Sequence, residues 1–158
     1  MYIDYFNSVQ TLINSNLNSI KTVDWYNNQY TRTEQLKATD YPAVYVEFEN
    51  PMRWETGGDG LQYADTSITF HLVLFDVADA PSSALGIAKD LHSLLHSTTL
   101  KDSNNKPLSS SMVRTSSELI VNFDQLKVVK LVYSLAVYDY STITPRTNVA
   151  PIAPNILL

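Results

Sequence analysis

Between residues 126 and 140 every second residue is apolar over the length of a long strand. Val129, Leu131, Tyr133, Leu135 and Val137 fall on one side, and Val132, Ala136, Tyr138 and Tyr140 on the other. Only a pleated strand has this period of two, and apolar residues on both sides suit the middle of a sheet better than its rim. Residues 61–77 repeat the pattern. Ile68, Phe70, Leu72 and Leu74 share a face there; Thr69, His71, Val73 and Phe75 share the opposite one, which is mixed near one end and apolar near the other. Asp40-Tyr41-Pro42 opens a further strand in which Val44, Val46 and Phe48 oppose Tyr45, Glu47 and Glu49, and Pro51 stops it. Leu119, Val121 and Phe123 alternate with polar residues, so residues 113–123 are another strand, joined to the last by a hairpin turn within Asn122 to Gln125.

Two segments have helical spacing instead. In residues 3–20, Ile3, Phe6, Gln10, Ile13, Leu17 and Ile20 keep to one face with only Gln10 polar, and Val9 flanks it. The other face is rich in Asn and Ser, weak helix formers, so tertiary packing must hold this helix. The second helix follows Asp79-Ala80-Pro81-Ser82, cap residues around a proline suited to a first turn. Its stripe is Leu85, Ala88, Leu91 and Leu95, with Ile87 and Leu94 beside it. Residues 21–41 are polar around Trp25, Tyr26 and Tyr30 and predict a loop with room for a short strand. Residues 52–60, with Gly57-Gly58-Asp59-Gly60, predict a turn, and residues 98–112 a polar loop long enough to be functional or mobile. The order helix, strands, helix, two strands predicts an α+β fold: a single antiparallel sheet with two helices packed on one face, over residues 1–140. Residues 141–158 are a Pro-containing C-terminal arm, since Pro145, Pro151 and Pro154 forbid a regular element.

Composition removes several functional classes. A chain of 158 residues with 44% hydrophobic residues suits one domain with a real core. No cysteine is present, which excludes disulfides, thiolate zinc sites and a cysteine nucleophile. A net charge of -5 and only 11 scattered basic residues argue against a protein that grips phosphates. No apolar run reaches the length of a membrane span, and Met1 to Gln10 is acidic and polar where a signal peptide would be basic and then apolar. The expectation is synthesis in a cytoplasm and no membrane partner. The 10 tyrosines accord with a β-rich protein that has interfaces.

The candidates for chemistry are thin. His92 and His96 share a helix face, but Ser93 stands where a zincin has Glu, and no third ligand is evident. His71 sits mid-strand among apolar neighbours, as a hydrogen-bonded sheet residue would. Gly57-Gly58-Asp59-Gly60 lacks the Gly-Lys-Ser/Thr of a phosphate loop and precedes a strand, so it is a turn. Asp76 and Asp79 suit either a cation or loop and cap duty. Ser109 to Ser111 lack a nucleophile-elbow pattern. The expectation is no enzyme, no cofactor and no metal.

The run Tyr41-Pro42-Ala43-Val44-Tyr45-Val46-Glu47-Phe48, the Gly-rich turn, and Tyr63-Ala64-Asp65-Thr66-Ser67-Ile68-Thr69-Phe70-His71-Leu72 resemble the tail-terminator and tail-completion proteins of tailed bacteriophages. The likeness continues through the helix carrying Leu85 to Leu95 and the closing Val137-Tyr138-Asp139-Tyr140, spanning residues 1–140 as an order of elements. Residues 141–158 are not part of the shared pattern, so the resemblance admits a neck or adaptor ring as well as a true terminator. The resemblance implies a structural virion protein made in the bacterial host cytoplasm. It would form a homo-oligomeric ring, six-fold or twelve-fold, that completes the tail or joins head to tail with other phage neck or tail proteins. DNA would pass through without specific binding, which an acidic subunit favours. Gly57 and Gly58 in the turn, and Ile152, Ile156, Leu157 and Leu158 in the arm, are the expected protein–protein contacts. The arm is expected to lie on a neighbouring subunit or another neck protein; the alternative is a tail packed on its own sheet or disordered. The competing classes are a small cytoplasmic binding module or assembly chaperone acting as monomer or dimer, and an enzyme with dispersed acid–base residues.

Overall fold

The computed structural model describes residues 2–29, 37–49, 52–75, 80–123 and 126–143. The elements, in chain order, are helix α1 (Tyr2–Asn16), strands β1 (Thr22–Trp25), β2 (Ala43–Phe48), β3 (Glu55–Thr56) and β4 (Gln62–Phe75), helix α2 (Ala80–Leu95), and strands β5 (Thr99–Lys101), β6 (Pro107–Ser111), β7 (Val113–Phe123) and β8 (Leu126–Asp139). The predicted α+β class is the observed one.

The two strands of longest alternation are the centre of the sheet. β4 and β8 pair antiparallel along their whole length, from Gln62 opposite Asp139 to Phe75 opposite Leu126. β2 and the two-residue β3 line the far edge of β4, while β7 and β6 line the far edge of β8. The path β1-β2-β4-β8-β6-β5 holds the sheet together. One pairing departs from the antiparallel expectation: β1 runs parallel to β2, Thr22 opposite Ala43 and Trp25 opposite Val46. A parallel neighbour needs a connection of about a dozen residues or more, and residues 26–42 supply it. α1 touches both β1 and β5, the two ends of that path, so the sheet curls around it.

Both helices lie on one face, where Val44, Val46, Phe48, Ile68, Phe70, Leu72 and the odd-numbered residues Val129 to Val137 of β8 form the main core. A smaller core of Tyr41, Ala43, Tyr45, Val73, Leu126 and Val128 lies on the other face. The buried stripe of α1 is Tyr5, Phe6, Val9 and Ile13. It is rotated from the predicted face, and Ile3 is 54% exposed. Aromatic area decides this. Phe6 stacks on Trp25 at 4.6 Å, and Trp25 and Tyr5 reach Phe48 at 5.3 and 6.3 Å. Such pairs add about 0.5–1.5 kcal/mol each beyond their burial, more than Ile3 could return. Gln10 has a use as well, since its Nε2 donates to the Val23 carbonyl at 2.9 Å. α1 ends at Asn16, short of the predicted residue 20, because Asn14-Ser15-Asn16 are weak formers and Asn16 Nδ2 donates back to the Leu12 carbonyl. Ile20 still reaches the core after the turn.

α2 buries Ala84, Ala88, Leu91 and Leu95, whereas Leu85, predicted for the stripe, is 53% exposed. Asp76 and Asp79, and with Asp79 part of the predicted cap, lie outside the described residues, as do Tyr30, positions 124–125 of the hairpin turn and residues 144–158.

The predicted loop at residues 98–112 is a hairpin, β5 against β6. Its few apolar residues, Leu100, Leu108 and Met112, are buried. Asp102 Oδ1 accepts from the amides of Asn104 and Lys106, both at 2.8 Å, and Asn105 takes a positive φ of 65° to close the turn. Serines replace missing ladder bonds: Ser109 Oγ accepts from the Leu100 amide and Ser110 Oγ from the Ala136 amide. A segment that satisfies its backbone with its own hydroxyls has no hydrophobic alternation to announce it as a strand.

Candidate functional surfaces

His71 and His92 are each committed to a structural partner. His71 on β4 is 2% exposed, its ring stacked on Tyr26 at 4.0 Å and 6°, and its Nε2 lies 2.9 Å from Glu47 Oε2. Burial holds its pKa below the ordinary imidazole value; Glu47 opposes that shift and Lys130, opposite on β8, reinforces it. His71 is thus the hydrogen-bonded sheet residue that its position predicts. His92 shares a 2.9 Å hydrogen bond with the hydroxyl of Tyr133, which β8 directs into the core under α2. Burial, then Arg114, then His96 lower the His92 pKa. Burial pushes the Tyr133 phenol up to about 12, so it stays a neutral partner. His96 stands 5.0 Å from His92, ring to ring. Among the described residues no three His, Asp or Glu side chains converge as a metal site would require.

The glycine turn has an unpredicted partner. Gly57 donates to the Leu61 carbonyl at 2.7 Å, and a short 3-10 turn, Gly58–Gly60, leads into β4. A Cβ at Gly57 would meet only ordinary contacts, and one at Gly58 nothing. Gly60 is the demanding position: its φ is +84° and an added Cβ would lie 2.8 Å from the Thr142 carbonyl oxygen. Thr142 Oγ1 in turn donates to the Gly60 carbonyl at 2.6 Å. The point at which the chain leaves β8 is therefore clamped to this turn, a contact between residues 82 apart that no local motif announces. Ile152, Ile156, Leu157 and Leu158 lie outside the described residues.

Two open clefts mark the sides of the sheet. One, of about 550 Å³, runs between α2 and β7. Val129 and Leu131 form its floor, and the exposed Leu85 and Leu119 its walls, with Lys89, Arg114 and Glu118 as its charged residues. The other, of about 440 Å³, lies where β2 ends and β3 begins, and carries Glu49, Glu55 and Asp65 around Tyr63 and Arg53. There Tyr63 donates to Glu55 Oε2 at 2.7 Å and Ser67 to Glu49 Oε2 at 3.2 Å. No described helix is long and apolar enough to cross a membrane.

The sequence matches no family profile and no curated protein. Among solved structures, the chain superposes on a chain from the virion of a native gene transfer agent particle with a TM-score of 0.56 at 12% identity. That match covers 87% of this chain and 97% of the other. A second solved chain, 14% identical over 85% of this chain and 96% of its own, superposes at a TM-score of 0.48, too distant for comparison of function. At these identities the shared property is the fold: a curled sheet with two helices, common to this chain and a virion component.

Proposed function

We propose that this chain is a structural subunit of a tailed-bacteriophage virion, acting as a ring in the neck or tail that completes the tail or joins it to the head. The observation that carries the reading is the fold shared with a virion chain over nearly the full length of both. The order of elements that resembles tail-terminator and tail-completion proteins supports it independently. The role is mechanical. The ring is a six-fold or twelve-fold assembly of identical subunits, its partners are other neck or tail proteins, and DNA passes through it. The net charge of -5 keeps such a conduit from trapping phosphates. Residues 141–158 act as an arm anchored by Ile152, Ile156, Leu157 and Leu158 on a neighbouring subunit or another neck protein, and the Gly57-Gly58 turn lies at a subunit contact or in the lumen. Identical subunits with lateral contacts reach closure through cyclic symmetry.

Native mass spectrometry and negative-stain microscopy of the purified protein test the reading. Closed rings of six or twelve copies are expected. A strict monomer or dimer over the accessible concentration range would instead favour the chaperone or binding-module class.

A further inference from the structure

The two clefts sit on opposite edges of the sheet and carry opposite charge. Lys89 and Arg114 outweigh Glu118 in the cleft on the α2–β7 side; Glu49, Glu55 and Asp65 outweigh Arg53 in the cleft on the β2–β3 side. On the β4–β8 ladder Asp65 lies opposite Ala136, whereas Leu131 and Val129 lie opposite Phe70 and Leu72, so the clefts are about five residues or more apart along the strands, roughly 17 Å at ~3.4 Å per residue, and cannot satisfy each other within one chain. The basic cleft is also the apolar one. Leu85 and Leu119 are 53% and 39% exposed, two solvent-facing apolar side chains in a single groove. Tyr63 in the acidic cleft is a half-buried aromatic of the kind that anchors interfaces.

We propose that the occupant of the α2–β7 groove is a second copy of this chain, which presents its β2–β3 corner head to tail, with Glu49 and Asp65 facing Lys89 and Arg114 and Tyr63 entering between Leu85 and Leu119. The inference rests on the ring reading above and specifies the contact that builds the ring. Two different patches on opposite edges make a heterologous contact, which repeats from copy to copy until the rotation closes. Side chains make the contact, not added strands. Among the described residues β7 has β8 on one edge only, but Thr115 is an extra residue in its ladder and Arg114 and Glu118 are charged, which blunts it for strand addition.

Charge reversal tests this on the full-length chain. One variant carries Lys89→Glu and Arg114→Glu, the other Glu49→Lys and Asp65→Lys, all at exposed positions. Thermal melts verify folding, and light scattering with native mass spectrometry reads the assembly. The wild type should form rings that loosen as salt rises. Each variant alone should be monomeric, with self-association weakened on the order of a hundredfold by like charges. An equimolar mixture of the two should restore rings of alternating subunits, because every junction again has opposite charge. Variants that still form rings would place the contact elsewhere and leave the ring reading standing. A mixture that stays monomeric would overturn the pairing. A wild type that never associates would remove both the ring and this contact. If a reversal unfolds the chain, Arg114→Gln and Asp65→Asn take its place; each should weaken association on the order of tenfold, and unchanged association would reject the contact.

Discussion

Gly60 and His71 hold conformations and charge states that their neighbours in sequence do not impose. Gly60 combines a positive φ with an approach that leaves no room for a Cβ beside Thr142. Gly60→Ala should cost about 1–3 kcal/mol in a denaturant melt, whereas Gly58→Ala, in open space, should stay within about 0.5 kcal/mol. Equal effects would mean that the clamp at Thr142 carries no stability. His71 gives the protein an acid-side slope. Its folded pKa lies below the ordinary 6.5, burial being the main cause. As pH falls through about 6.5 the unfolded chain takes up this proton before the folded chain does, so stability present above that pH is lost below it. His71→Gln should therefore lose less of its melting temperature than wild type between about pH 7.5 and about pH 5.5. An unchanged slope would mean that His71 is not the source of the acid sensitivity.

At the scale of elements, α2 separates a stabilising face from a presenting one. Leu91 is fully buried over the sheet and Leu85, nearly two turns before it, is exposed at the mouth of the basic cleft. Leu91→Ala should destabilise by about 2–5 kcal/mol, because the rigid sheet beneath cannot fill the void. Leu85→Ala should leave the melt within about 0.5 kcal/mol of wild type yet weaken self-association. A Leu85 variant that melts early would mean that the residue packs inside its own subunit. The same division is seen in α1, whose Asn- and Ser-rich sequence would not stay helical alone. Stacked aromatics hold one side of it, and on another Ser8 Oγ accepts from the Lys101 amide at 3.0 Å.

At the scale of the whole molecule, the described elements end before residue 144. The β4–β8 ladder, both helices and the Gly60–Thr142 clamp all lie within residues 2–143. Deleting residues 145–158 should leave a cooperative melt near the wild-type midpoint and a weakened assembly, as measured by light scattering. Loss of the cooperative transition would make the segment part of its own core and end the proposal of an exchanged arm. The three prolines of the segment fit an arm, because they reduce the conformational freedom lost on docking.

Local chemistry was enough to place β2, β4, β7, β8 and the existence of both helices, since alternation and three-to-four spacing follow from backbone geometry wherever the chain ends up. So much was legible locally. What packs against what was not. The face α1 buries was decided by Trp25 and Phe48, which come from other elements, and the exposure of Leu85 by the place where α2 crosses the sheet. The hairpin at residues 99–111 formed because Ser109 and Ser110 met the Leu100 and Ala136 amides. The parallel β1, the pairing of Gly60 with Thr142 and the opposite charge of the two clefts depend on contacts between residues far apart in the chain. Periodicity is a property of the backbone and is written locally; the choice among faces and partners is a comparison of buried areas and satisfied polar groups, and only the folded chain brings those together.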